Sequence, residues 1–113
     1  MRETGKIDYL ELPAGTGKLD SMKAFYANVF GWTFTDYGAG YSAFNEGLDG
    51  GFDGASESGK VLPILFSDDL EATLRQVEDA GGEIVKPIFS FPGGRRFHFI
   101  DPAGNKLAVW SEV

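Results

Sequence analysis

Glu11 is the first side chain whose type and position could do chemistry. It lies in residues 7–12, where apolar and polar residues alternate as they do in a strand, and it shares a strand face with Tyr9. A carboxylate surrounded by aromatic side chains can have a raised pKa and serve as a general base. It could equally anchor a cationic ligand, or pair with Arg95 or Arg96. The residues alone leave these three roles open.

His98 is the only histidine of the chain, and imidazole can act as an acid or a base near neutral pH. Its neighbours at a spacing of two are Arg96 and Ile100, whereas Phe97 and Phe99 point to the other side of the same strand. If both Phe side chains pack beneath helices, His98 faces a cleft or the solvent. It is therefore a candidate acid or base, and a strand histidine without a special role is the alternative.

The composition excludes several classes of function. The 113 residues contain no Cys, so disulfides, thiolate metal sites and cysteine nucleophiles are ruled out. A net charge of −7 disfavours nucleic acid, because binding to a polyanion usually requires a basic face. No stretch approaches the roughly 20 apolar residues that cross a membrane, and residues 1–6 lead into no signal peptide. We expect a soluble, cytoplasmic protein that binds neither nucleic acid nor membranes.

The first half of the chain predicts a strand, a helix and three short strands. Strands are expected over residues 7–12, 32–35 and 41–45, with a shorter piece around Phe52. A helix that ends at Gly31 is expected from apolar residues at helical spacing, namely Leu19, Met22, Phe25, Tyr26, Val29 and Phe30.

The second half predicts the same succession after a polar linker over residues 54–60. The run 61–66 is typical of a buried strand, and Asp68 or Asp69 can cap the helix that follows. The apolar stripe of that helix consists of Leu70, Leu74, Val77 and Ala80, and Gly81-Gly82 ends it. Three strands are expected at 83–91, 96–100 and 106–110, the first bent or at an edge because it contains Pro87.

The two halves repeat each other at an offset of 51 residues, which places Leu19 on Leu70 and Gly31 on Gly82. A single βαβββ unit leaves one face of its sheet uncovered, and two such units can cover each other and enclose a cleft. We therefore predict an α+β fold of two βαβββ modules, about 5–54 and 61–113, within one domain spanning 1–113.

Three motifs occur in order on this pattern: Phe25-Tyr26 followed by Val29-Phe30-Gly31-Trp32, then Asp68-Asp69-Leu70 with Gly81-Gly82, and finally Phe99 to Leu107. Together they resemble the glyoxalase/bleomycin-resistance/dioxygenase superfamily, also called vicinal oxygen chelate proteins, over residues 7–110. The resemblance implies a glyoxalase-like domain with a curved mixed sheet around a cleft. It also implies a homodimer, which is the commonest kind of oligomer in any case.

The resemblance further implies a divalent metal held in the cleft by His and Glu side chains from both modules. The matching positions are Tyr9 or Glu11, Phe52 or Asp53, then Leu62, and finally Ala108. Leu62 and Ala108 have no lone pair to give to a cation, whereas a divalent metal needs several O or N donors. We therefore expect no metal site and no cofactor.

The expected function is the binding of a small molecule in a metal-free cleft. The residues expected to contact the ligand are Tyr9, Glu11, Ile64, Phe66 and Trp110. A cationic or aromatic ligand is favoured, because bleomycin-resistance proteins sequester a cationic aromatic drug by shape, stacking and negative charge. The alternatives are a metal-dependent lyase or isomerase of the glyoxalase type, with Glu11 or another carboxylate as the reactive group, and a module within a larger assembly.

Overall fold

The computed structural model describes residues 2–15, 17–54 and 60–113. The elements found there are β1 (Ile7–Pro13), α1 (Leu19–Phe30), β2 (Thr35–Asp36), β3 (Tyr41–Asn45), β4 (Asp49–Asp53), β5 (Leu62–Phe66), α2 (Leu70–Asp79), β6 (Glu83–Phe91), β7 (Gly94–Ile100) and β8 (Lys106–Ser111). The α+β class and the repeated βαβββ order are confirmed. Residues 55–59 of the predicted linker lie outside the described residues.

The chain divides into two compact units, Tyr9–Leu62 and Pro63–Val113 with Met1–Asp8. In the first unit the strands lie in the order β2-β3-β4-β1, and only β1 and β4 are parallel. In the second unit the order is β6-β7-β8-β5, and only β5 and β8 are parallel. Each unit thus has the same mixed topology. The single domain and the enclosed cleft stay predictions.

Aromatic rings fill the core between α1 and one face of the sheet in the first unit. Phe52 is fully buried at its centre, beside Phe44 and Ala14. The indole of Trp32 lies 4.8 Å from the ring of Phe44 and 4.7 Å from that of Tyr26, between ring centroids. Much of the aromatic content of the first half therefore stabilises the fold.

The predicted strand over residues 32–35 is wrong except at its last residue. Only Thr35 and Asp36 pair with β3, opposite Ala43 and Ser42. The N–H of Thr33 donates instead to the Glu46 carboxylate, with 3.3 Å between N and Oε2. A side chain thus takes the hydrogen bond that a continued strand ladder would have formed.

Helix α1 begins and ends as predicted, but its apolar stripe is only partly covered. Gly31 adopts a left-handed conformation (φ 75°), and its N–H donates to the carbonyl of Ala27. Phe25, Val29 and Phe30 are all more than half exposed, which corrects the expectation that they pack inward. The six apolar residues spread over roughly 140° of the helix circumference at 100° per residue, a wider arc than the contact with the sheet covers.

Helix α2 packs on the sheet of the second unit through Leu70, which is buried together with Phe97 and Val109. The side chain of Asp69 caps the helix by accepting a hydrogen bond from the N–H of Ala72 (3.1 Å). Of the two predicted caps, Asp68 and Asp69, the second is therefore the one observed. Ala80 follows the last helical residue and is exposed, so its place in the apolar stripe was wrong.

Strand β6 is bent and lies at an edge, as Pro87 predicts. Its register against β7 shifts twice, between Ile84 and Lys86 and again between Lys86 and Phe89, the interval that contains Pro87. The turn before β8 is held by Asp101, whose carboxylate accepts hydrogen bonds from the N–H groups of Ala103 and Asn105. No helix in the described part of the chain has the length and hydropathy to cross a membrane.

Phe52→Ala should lower the free energy of unfolding by about 3–5 kcal/mol, because it empties the centre of an aromatic cluster. The matched control is Phe25→Ala on α1, whose side chain is 55% exposed; its loss should be about 0.5 kcal/mol. Urea unfolding followed by fluorescence measures both. Equal losses in the two variants would contradict the description of this core.

Candidate functional site

Glu11 points to the face of the first-unit sheet that α1 does not cover. β1 and β4 align Glu11 with Gly51 and Leu12 with Phe52. Leu12 and Phe52 belong to the core beneath α1, and successive strand residues alternate between faces. Glu11 and Tyr9 therefore share the opposite face. The carboxylate side chain is buried there, with Glu11 only 5% exposed.

Two phenols connect to this buried carboxylate in a chain of hydrogen bonds. The hydroxyl of Tyr41 donates to Oε2 of Glu11 at 3.2 Å. The hydroxyl oxygens of Tyr9 and Tyr41 are 2.5 Å apart. The hydroxyl group of Tyr41 has a single proton, and this proton is used in the hydrogen bond to Glu11. Tyr9 must therefore be the donor in its hydrogen bond with Tyr41. Hydrogen bonds in series polarise one another, so the oxygen of Tyr9 becomes a better acceptor.

The ring of Tyr41 reaches Glu11 because residue 51 has no side chain. A Cβ at Gly51 would lie 2.3 Å from the hydroxyl oxygen of Tyr41 and 2.5 Å from its ring carbons, which is well inside van der Waals contact. Gly51 lies between Glu11 and Ala43 in the register of the sheet. The glycine therefore allows the ring to cross β4 and join β3 to β1.

Tyr41 stays a neutral donor at physiological pH. Burial raises the pKa of its phenol, and the charge of Glu11 raises it further. Tyr41 was not among the site residues predicted from the sequence. The signal was the pair Gly50-Gly51 inside a strand, which indicates close approach of another group but does not say which ring fills the space.

A cavity of about 350 Å³ lies at the end of the same sheet. Tyr9 lines it, which connects the cavity wall to the hydrogen-bonded chain. Two carboxylates, Glu46 and Asp49, also line it. The remaining lining residues are aromatic, small or polar: Thr33, Phe34, Thr35, Tyr37, Ala43, Phe44, Asn45 and Gly50. A small molecule in this cavity would contact aromatic rings as well as negatively charged side chains.

The other three predicted ligand contacts lie together in the second unit. The register pairs Ile64 with Ala108 and Phe66 with Trp110, and the rings of the last pair are 5.4 Å apart in edge-on contact. Trp110 is also held by Asp8, which accepts a hydrogen bond from its Nε1 at 3.0 Å. Phe66 and Ile64 are buried, whereas Trp110 is half-buried.

His98 lies on the sheet face that α2 leaves uncovered, because its neighbours Phe97 and Phe99 pack in the core of that helix. It is 6% exposed, and neither ring nitrogen has a hydrogen-bond partner among the described residues. Burial lowers the pKa of His98 to about 4, with Arg96 as the next largest cause. The ring is therefore neutral at pH 7 and a weak base.

The donor atoms do not fit the metal that the family resemblance implies. Leu62 and Ala108 are buried and offer no ligand atom. No three His, Asp or Glu side chains come together as a metal site would require, within the residues that the structure describes. A divalent cation needs more donors than one or two carboxylates can give it.

His98 should titrate near pH 4 by NMR, and its signal is unambiguous because the chain has one histidine. Its folded pKa lies below the unfolded value of 6.5, so the unfolded state takes up a proton first as the pH falls. The free energy of unfolding should therefore decrease from pH 6.5 to pH 5, and His98→Gln should remove that decrease. A midpoint near 6.5 would contradict the burial of the ring.

Gly51→Ala should lower the free energy of unfolding by about 1–3 kcal/mol, because the new methyl group overlaps the ring of Tyr41. The control is Gly40→Ala, where a Cβ meets no heavy atom within 4 Å and the backbone is not left-handed. It should change stability by less than about 0.5 kcal/mol. Chemical denaturation measures both, and a neutral Gly51→Ala would exclude the close approach of Tyr41.

A family model of the Glyoxalase/Bleomycin resistance protein/Dioxygenase superfamily matches residues 6–109. Among curated proteins, Anthracycline biosynthesis protein DnrV of Streptomyces peucetius is 33% identical over 122 aligned residues, covering 85% of this chain and 44% of that protein. Anthracycline biosynthesis protein DauV of Streptomyces sp. (strain C5) is 30% identical with the same coverage. The chain thus spans less than half the length of these relatives.

Solved structures also match the fold of this chain. The Mn(II)-bound glyoxalase from Novosphingobium aromaticivorans is 26% identical, with a TM-score of 0.69 over 100% of this chain and 40% of that one. Methylmalonyl-CoA epimerase from Mycobacterium tuberculosis is 10% identical, with a TM-score of 0.74 over 100% of this chain and 91% of that one; this likeness is one of fold alone. With the match of the family model to residues 6–109, the chain belongs to the glyoxalase/bleomycin resistance protein/dioxygenase superfamily.

Proposed function

We propose that this chain binds a small, cationic, aromatic molecule without the help of a metal, and that the first-unit cavity is the place of binding. The observation that carries the proposal is the position of Tyr9. Its ring lines the cavity, and its hydroxyl leads through Tyr41 to the buried Glu11. An aromatic surface is thereby combined with a fixed negative charge behind it.

The size and lining of the cavity support an aromatic ligand. Its volume of about 350 Å³ falls within the range of about 300–1,000 Å³ that is usual for small-molecule pockets. Tyr9, Phe34 and Tyr37 offer ring faces and edges to a planar guest. Tyr37 is 66% exposed, so this side of the cavity is open to solvent.

The charge of the lining supports a cationic ligand. Glu46 and Asp49 line the cavity, and among the described residues no Lys or Arg does. The net charge of −7 adds long-range attraction for a cation. Cations also bind favourably over the electron-rich faces of aromatic rings, so both features of the lining favour the same class of molecule.

The curated relatives support the aromatic part of the proposal. Both are named for anthracycline biosynthesis, and anthracyclines contain a planar polycyclic aromatic system.

The cleft-wall role expected for Ile64, Phe66 and Trp110 stays a prediction, as do the homodimer and the cytoplasmic location. The metal-dependent lyase or isomerase is the competing function, and the donor set argues against it.

Daunorubicin, an aromatic cation with its own fluorescence, is a suitable first probe. We expect it to bind the wild-type chain, and we expect Glu46→Gln and Asp49→Asn each to weaken binding by about five- to tenfold, about 1 kcal/mol for a partly exposed charge. Its uncharged aglycone should lose little in either variant. Fluorescence titration and calorimetry measure these affinities.

Asp79→Asn is the matched control, because it removes one negative charge from the exposed end of α2 in the second unit. It should leave daunorubicin binding unchanged, and an excess of EDTA should do the same. Binding that all three Asp and Glu variants weaken equally would reflect net charge alone. Binding that EDTA abolishes and Mn²⁺ restores would replace this proposal with the metal-dependent function.

A further inference from the structure

His98 is a buried polar group that the first-unit cavity does not use. Its ring is 6% exposed, and no hydrogen-bond partner for Nδ1 or Nε2 is found in the described part of the chain. A neutral imidazole always carries one N–H donor and one acceptor. Buried polar groups in proteins are nearly always paired, so one without a partner indicates that another molecule supplies it.

Positive charge surrounds this ring from all three strands of its sheet. Lys86 on β6 lies directly opposite His98 in the register, so the two side chains share a face. Arg96 on β7 and Lys106 on β8 are on the same face by alternation. Arg96, Lys106 and Lys86 all lower the pKa of His98 in addition to burial. Three cationic side chains are therefore placed on one face of this acidic chain.

Aromatic rings lie beside the charges. The ring of Phe89 contacts that of His98 edge-on, at 5.6 Å between centroids. Nζ of Lys86 lies 4.3 Å from the centroid of Phe89, and the guanidinium of Arg96 lies 5.4 Å from it. Phe89 and Arg96 are both partly exposed and Lys86 is exposed, so solvent reaches these side chains, whereas the ring nitrogens of His98 are buried beside them.

We propose that the sheet face around His98, Lys86 and Phe89 binds the carboxylate of a small aromatic acid. The N–H of the neutral imidazole donates to one carboxylate oxygen, and Lys86 supplies the compensating charge. Phe89 provides the surface on which the ring of the acid packs. This site lies in the second unit and does not depend on the cavity of the first.

Sodium benzoate is the probe, and the pH titration of His98 by NMR is the readout. Because a carboxyl group titrates in the same range as His98, the total benzoate is raised as the pH falls so that its ionised form stays saturating. A bound anion favours the charged imidazolium, so saturating benzoate should raise the pKa of His98 by about one unit. This shift corresponds to about tenfold tighter binding of benzoate to the protonated form. Benzyl alcohol, which has the ring without the charge, should leave the pKa unchanged.

Lys86→Met should weaken benzoate binding by about fivefold. The affinity is obtained from the benzoate dependence of the His98 pKa, and the reference is the pKa of His98 in the same variant without benzoate. Lys60→Met is the matched control, because Lys60 is exposed and precedes β5; it should behave as the wild type. Benzoate that leaves the pKa of His98 unchanged up to its solubility limit would overturn the proposal. Equal weakening by both Lys variants would also overturn it, because it would reduce the effect to net charge.

Discussion

The alternation of side chains along each strand governs the rest of this structure. Each helix covers one face of its own four-stranded sheet. Because successive residues of a strand point to opposite faces, each strand residue lies either in the apolar core or on the opposite face. Leu12 and Phe52 lie under α1, and their neighbours Glu11 and Gly51 lie on the other side. Phe97 and Phe99 lie near α2, and His98 lies opposite. The faces on which Tyr9, Glu11 and His98 lie follow from this constraint.

Much of the fold could be predicted from the sequence because its signals are local. Helical spacing with a glycine stop gave both ends of α1, and Pro87 gave the bend and the edge position of β6. The strand over residues 32–35 failed for a reason that no local pattern contains, since the carboxylate of Glu46 takes the amide of Thr33. The exposure of Phe25 and Phe30 was likewise set by how far the sheet extends under the helix.

The candidate sites were less predictable than the fold. The spacing of two residues along the strand predicted that Glu11 and Tyr9 share one face. Tyr41, which joins them, comes from a strand 30 residues away, and its position depends on the space above Gly51. His98 could be assigned to a face, but its burial and its cationic neighbours depend on strand register. Chemistry of this kind is set by long-range packing, which a single sequence does not contain.

Two edge strands, β2 of the first unit and β6 of the second, resist pairing with strands of other polypeptides. β2 is only two residues long, and β6 has one register shift before Pro87 and a second that spans it. A short strand offers few backbone groups to a neighbour, and a proline removes one donor from the row. An added strand from another polypeptide therefore finds no continuous ladder on β2 or on β6. Both strands are poor templates for the growth of an intermolecular sheet.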